Sequence, residues 1–104
     1  MLEKLIKLCK HEDIEFESTF LFNMPYKYSN KEELRKLFWL TELRQFVFNK
    51  FGVYVAVEYQ SELNLFYYLF EINKETMISK DMYVSETDAL MEGLTCFISN
   101  YTAQ

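Results

Sequence analysis

The chain has 104 residues, of which 50% are hydrophobic and 26% charged, with only 2 glycines and 1 proline. This composition excludes a disordered or low-complexity chain, and the length predicts a single domain over residues 1–104. The formal net charge is −5, which argues against direct DNA binding because a protein that follows a phosphate backbone needs a basic face.

The first predicted element is an amphipathic helix over residues 2–11, in which apolar residues recur at helical spacing. Glu3 and Lys4 interrupt the apolar run that a secretory signal would need. No segment approaches the ~18 uninterrupted apolar residues of a membrane span. We therefore expect a cytoplasmic protein that does not contact membranes.

Cys9 and His11 are the first candidates for chemistry. They are two positions apart on this helix and so do not face each other, which argues against a nucleophile–base pair. Cys9 and Cys96 are predicted to be small buried hydrophobes rather than a disulfide, as suits a reducing compartment.

The pattern then changes to a period of two. From Ile14 to Phe22 the even positions are apolar except for Ser18, and the odd positions open with acidic residues, which predicts a strand with one buried face. Asp13, Glu15 and Glu17 share its other face, about 6.6 Å apart, a spacing of the same order as that of phosphates along a nucleic-acid strand. Such a row could enter a basic nucleic-acid channel. The favoured alternative is an edge strand kept soluble by its charge.

A second helix is predicted from a capping signal at Asn30 to about Phe51, and Gly52 is placed to end it in the left-handed conformation. Short runs rich in β-branched and aromatic residues follow, separated by turn residues, and they predict an antiparallel meander. The predicted strands are residues 53–59, 65–72 and, more weakly, 76–83.

A last helix is predicted to begin after Ser85, whose side chain caps it, with Asp88 as the acidic partner three residues on. Its inward stripe includes Gly93, where the missing side chain would let the helix approach the sheet closely. The rest of that stripe is Leu90, Leu94, Phe97, Ile98 and Tyr101. The predicted fold is therefore α+β, in the order α-β-α-β-β-β-α, with helices packed on one face of an antiparallel sheet of three to four strands.

The sequence contains no pattern typical of catalysis, of a cofactor site or of a metal site. One histidine and two distant cysteines lack the spacing of zinc ligands, and 2 glycines cannot build a phosphate-binding loop. We therefore expect a protein that is not an enzyme and carries no cofactor.

Aromatic residues make up 18% of the chain, including 10 Phe and 8 Tyr. The plainer explanation is a small core filled with large side chains. Adjacent strand residues point to opposite faces, however, so Tyr67 and Tyr68 cannot both enter one core. If helices cover only one face of the sheet, the other is expected to expose an aromatic surface for protein contact, with Tyr67 or Tyr68 as its anchor.

The last helix and the residues before it form a motif that is similar to one found in a known group of proteins. It has the form Tyr-x-Ser/Thr-x-x-x-Ala-Leu-x-x-Gly-Leu and follows a helix that ends in a basic residue and a turn. The matching residues are Lys50, Phe51, Gly52, Val53, Tyr83, Ser85, Ala89, Leu90, Gly93 and Leu94. From Gln45 to Leu94 the chain thus resembles a group of short proteins encoded by bacterial phages and mobile elements. Its tail departs from that group, because residues 95–98 replace a charged, alanine-rich continuation.

The resemblance implies a protein that acts in the cytoplasm of a bacterial host by binding a host protein, as anti-CRISPR inhibitors of about this size do. The implied partner has a basic surface, such as a CRISPR effector or its RNA complex. The expected contact residues are Asp13, Glu15, Glu17, Tyr67 and Tyr68. The alternative is a self-associating accessory protein, in which the aromatic sheet faces of two copies form a homodimer.

Overall fold

The computed structural model of the protein describes residues 2–11 and 31–101. In these residues the helices are α1 (Leu2–His11), α2 (Lys31–Phe51) and α3 (Glu86–Tyr101), and the strands are β1 (Ala56–Gln60), β2 (Leu65–Ile72) and β3 (Glu75–Ile78). The predicted α+β class is confirmed. The predicted strand from Ile14 to Phe22, its carboxylates Asp13, Glu15 and Glu17, and the predicted cap at Asn30 lie outside the described residues.

The strands form an antiparallel sheet in the order β1-β2-β3. Val57 lies opposite Tyr68, and Phe70 lies opposite Met77. Because directly opposed residues share a face, the register divides the strands into two sets. The core face consists of Val57, Tyr59, Phe66, Tyr68, Phe70, Ile72, Met77 and, at its exposed end, Glu75. The outer face consists of Ala56, Glu58, Gln60, Leu65, Tyr67, Leu69, Glu71, Thr76 and Ile78.

Helix α3 is the middle layer of the structure. It packs against β1 and β2, and both α1 and α2 pack against it. The core therefore draws residues from all three helices, from β2 and from the segment before β1. Its members are Leu5, Cys9, Trp39, Leu40, Leu43, Val47, Val55, Phe70, Leu90, Met91, Leu94, Phe97 and Ile98. Within the described part of the chain, the outer-face residues do not belong to this core.

Gly93 faces the sheet where α3 crosses it. A Cβ atom at this position would lie 2.7 Å from Cγ1 of Val55 and 2.9 Å from Cγ of Tyr68. Both distances are well inside van der Waals contact. The predicted close approach of helix and sheet is confirmed, and it is possible because residue 93 has no side chain.

The predicted ends of α2 and α3 are also confirmed. The Asp88 amide donates a hydrogen bond of 3.0 Å to the Ser85 hydroxyl, which caps α3. At the other site, Gly52 has a φ of 74°, and its amide donates a hydrogen bond of 2.9 Å to the Phe48 carbonyl. Gly52 thus occupies the left-handed position that follows a helix.

The third strand is shorter than predicted. The Ser79 amide donates to the Tyr68 carbonyl at 3.0 Å, but the Tyr68 amide donates to the Ser79 hydroxyl instead of a backbone carbonyl, at 3.2 Å. The ladder stops there because a side-chain oxygen has replaced a backbone acceptor. The chain rejoins β2 at one point, where Tyr83 exchanges two hydrogen bonds of 2.7 Å with Phe66.

The turn between β2 and β3 has two residues with positive φ, Asn73 at 52° and Lys74 at 68°. This is the pattern of a type I′ hairpin turn, which favours Asn at the first position and Gly at the second. Lys74 adopts the left-handed conformation without the freedom of glycine, at a cost of roughly 1 kcal/mol. The turn lies beside the candidate site described next.

Candidate protein-binding face

The structure separates the two predicted tyrosine anchors. Tyr68 lies on the core face and packs against the core. Tyr67 is half-buried on the outer face, directly opposite Glu58 of β1. Of the two tyrosines, only Tyr67 therefore lies on the face that the core leaves uncovered.

The aromatic residues of the strands are concentrated on the core face. Tyr68 stacks on Phe70 with ring centroids 6.2 Å apart, and Phe70 meets Phe97 of α3 edge to face at 5.9 Å. In the described strands, Tyr67 is the one aromatic residue of the outer face. The outer face is thus less aromatic than expected, because most strand aromatics fall at alternate positions that point toward α3.

Aliphatic and acidic side chains dominate the outer face. Leu65 and Leu69 are half-buried, and Ile78 is 61% exposed. Glu58 and Glu71 are exposed on the same face. The described strands contain no lysine or arginine. The face therefore presents apolar surface between carboxylates, a combination that suits a partner carrying basic and apolar groups.

An aromatic corner adjoins the outer face just before β1. Tyr54 is 47% exposed, and the Phe48 ring meets it edge to face at 5.9 Å and 89°. The guanidinium carbon of Arg44 lies 4.9 Å from the centroid of the Tyr54 ring, a cation–π contact. The end of α2 thus fixes the orientation of Tyr54.

We use the term corner hollow for the depression of about 400 Å³ beside this corner. It is lined by Phe48, Tyr54, Ala56, Leu69, Glu71 and Lys74, among others. Ala56 and Leu69 are directly opposed on the outer face, so the hollow and the outer face form one continuous surface.

Arg44, Phe48 and Tyr54 are not among the residues that the sequence pattern singles out. The sequence did contain a signal that Phe48 is exposed, because Phe48 falls beside the buried stripe that includes Leu43 and Val47 and not on it. Its exposure was open to prediction, but its contact with Tyr54 depends on how the chain turns at Gly52.

A second group of titratable residues lies between the core face and α3. Burial, followed by a hydrogen bond with the Cys96 side chain, raises the pKa of Tyr68 well above its ordinary value. Burial and the nearby Glu92 carboxylate raise the pKa of Tyr83. Both phenols therefore keep their protons at neutral pH and cannot act as general bases.

The cysteines are free, as predicted. Cys9 is buried, and burial raises its pKa from 9.0 to about 11. Because the thiolate is the reactive form, this shift disfavours the reactive form of Cys9 at neutral pH. Among the residues that the structure describes, no three His, Cys, Asp or Glu side chains are grouped so that they could hold a metal ion.

These raised pKa values predict alkaline instability. The folded protein holds the protons of Cys9, Tyr68 and Tyr83 more tightly than the unfolded chain does. The contribution of Cys9 to the free energy of unfolding is therefore complete below about pH 9 and is lost as the pH rises toward 11, whereas the contributions of the two tyrosines begin to fall only above about pH 10. Urea denaturation between pH 7 and 10.5 should show this decline. Cys9→Ala, which cannot ionise at this position, should flatten it, and identical pH profiles for both proteins would contradict the prediction.

Comparison of the chain with protein-family models, with curated proteins and with solved structures gives no match. The resemblance to phage proteins therefore stays a prediction. No helix in the described ranges combines the length and apolarity needed to cross a membrane.

Proposed function

We propose that this protein is a small non-enzymatic binding protein whose outer face contacts a basic surface of a partner protein. The observation that carries the proposal is the combination of apolar side chains and the exposed carboxylates of Glu58 and Glu71 on a face outside the core. Apolar surface supplies the free energy of association, and the carboxylates select and steer a basic partner.

Charge favours a different protein over a second copy as the partner. In a two-fold dimer the same patch from each subunit meets at the interface. Glu58 and Glu71 of both copies would then share one interface without a strand lysine or arginine to neutralise them. Like charges in such an interface oppose association, so self-association is the less favoured alternative.

The resemblance to phage and mobile-element proteins supports a more specific partner. Proteins that handle nucleic acids carry basic channels, as CRISPR effectors do for the guide–target duplex. An acidic protein that occupies such a surface excludes the nucleic acid from it. The proposed activity is therefore inhibition of a host nucleic-acid-handling defence protein by protein–protein contact, with Asp13, Glu15 and Glu17 as further proposed contacts.

Charge reversal on the outer face tests the proposal. The wild-type protein and the double variant Glu58→Lys/Glu71→Lys are immobilised, and proteins retained from host lysate are quantified by mass spectrometry. We expect a basic host protein whose retention is about tenfold lower on the variant. Retention by the wild type should also fall as the salt concentration rises.

The charge-matched control is Glu62→Lys/Glu75→Lys. Both residues are exposed, and neither belongs to the outer face. Because this variant also replaces two glutamates with lysines, it has the same net charge as the test variant. It should retain the partner nearly as well as the wild type does. Equal retention by the wild type and the outer-face variant would refute the proposal. A cleavage assay on the retained protein then measures inhibition directly.

A further inference from the structure

We propose that the corner hollow receives an arginine side chain of the partner protein. The inference rests on the proposed function and names the chemical group that the binding face selects. Its basis is the combination of an aromatic wall, an apolar floor and a carboxylate in one hollow of about 400 Å³. A hollow of this size has room for one long side chain.

The aromatic wall is suited to a guanidinium group. Tyr54 already accepts the guanidinium of Arg44 at 4.9 Å from its centroid, and Phe48 braces the ring edge to face. Tyr54 as a whole nevertheless stays 47% exposed, so the residue retains area for a second contact. Its fixed orientation reduces the entropy lost when a ligand stacks on it.

The floor and the carboxylate supply the other two contacts. Ala56 and Leu69 are half-buried, and they offer apolar surface to the methylene groups of a long basic side chain. Glu71 is two residues beyond Leu69 on the same face and is exposed. Its two oxygens can accept two parallel hydrogen bonds from a guanidinium. Arginine therefore fits better than lysine, because only its planar group both stacks and binds in a bidentate manner.

Lys74 opposes this preference. It lines the same hollow as Glu71 and adds a positive charge to it. It also holds a φ of 68°, which glycine adopts more readily. Lys74→Gly should therefore increase the affinity for arginine without lowering stability. It provides a test in which the expected change is tighter binding rather than a loss.

A titration with small-molecule probes tests the inference. N-acetyl-arginine methylamide is added to the ¹⁵N-labelled protein, and the backbone amide shifts are followed by NMR. The neutral isostere N-acetyl-citrulline methylamide is the control ligand. We expect saturable shifts at Tyr54, Ala56, Leu69 and Glu71 with the arginine compound, and binding of the citrulline compound at least about fivefold weaker.

Variants assign the binding to the hollow. Glu71→Gln should weaken binding of the arginine compound severalfold. Glu75→Gln should not, because Glu75 is an exposed carboxylate on the same hairpin that lies off the outer face. Lys74→Gly should strengthen it. The inference is overturned if no saturable shifts occur at the hollow, if citrulline binds as well as arginine, or if Glu71→Gln has no effect.

The outcomes separate this inference from the proposed function. If the arginine compound does not bind but partner retention still depends on Glu58 and Glu71, the arginine site fails and the binding face stands. If the arginine compound binds as described but retention is indifferent to both carboxylates, the proposed function fails and the ligand preference of the hollow stands.

Discussion

Replacing Gly93 with alanine is expected to lower the free energy of unfolding by about 3 kcal/mol, the upper part of the usual range, because the added methyl group would overpack a closed interface. The new Cβ would lie 2.7 Å from Cγ1 of Val55, and 2.9 and 3.0 Å from Cγ and Cβ of Tyr68. The Tyr68 Cβ is fixed by the backbone of the central strand, so rotation of a side chain cannot relieve this contact. Helix α3 must shift away from the sheet.

The other glycine is the matched control. Gly52 has a positive φ but no atom within 4 Å of an added Cβ, so Gly52→Ala should cost only about 1 kcal/mol, the penalty of the left-handed conformation. Urea denaturation monitored by circular dichroism measures both values. Val55→Ala in the Gly93→Ala background should recover part of the loss. A loss at Gly93 no larger than that at Gly52 would show that the interface is looser than described.

Phe70→Ala is expected to have an effect of similar or greater size, about 3–5 kcal/mol, since it removes a large side chain from the centre of the core. Phe70 is 2% exposed and meets Phe97 and Tyr101 edge to face at 5.9 and 5.8 Å. Both rings belong to α3, so neither can move into the space without a shift of the helix or a change of its own rotamer. The substitution therefore leaves a cavity at the contact between α3 and β2.

Phe48→Ala is the matched control, because it removes the same side chain from a position that is 45% exposed. It should cost less than about 1 kcal/mol. Domains of this size are stable by only about 5–15 kcal/mol, so Phe70→Leu, with a smaller expected loss, provides a measurable value if Phe70→Ala does not fold. Equal losses for Phe48→Ala and Phe70→Ala would contradict the position of Phe70 in the core.

Local chemistry was sufficient to predict the helices and strands that the structure describes, though not all of their ends. The cap at Ser85 and the terminating glycine at Gly52 act over one helical turn, so nearby residues specify them. The close approach at Gly93 was also predictable, because a glycine on the apolar stripe of a helix needs a packing reason. The early end of β3 could not be predicted, since it depends on the Ser79 hydroxyl reaching the amide of Tyr68 on another strand.

The candidate site was only partly predictable. Alternation shows that Tyr67 and Tyr68 point to opposite faces, but it does not show which of them faces the core. The contact of α3 with the sheet decides this, since Tyr68 lies beside Gly93. The corner hollow was beyond sequence reasoning, because it joins the end of α2 to the outer face through side chains that meet only after the chain turns at Gly52.

The middle position of α3 has a consequence for the order of folding. The sheet packs on one side of α3, and α1 and α2 pack on the other, so most of the shared core requires residues 86–101. During synthesis these residues leave the ribosome after every other described element. The nascent chain must therefore hold its strands and first helices without their common packing partner until late in translation, when contacts between distant parts of the sequence form together.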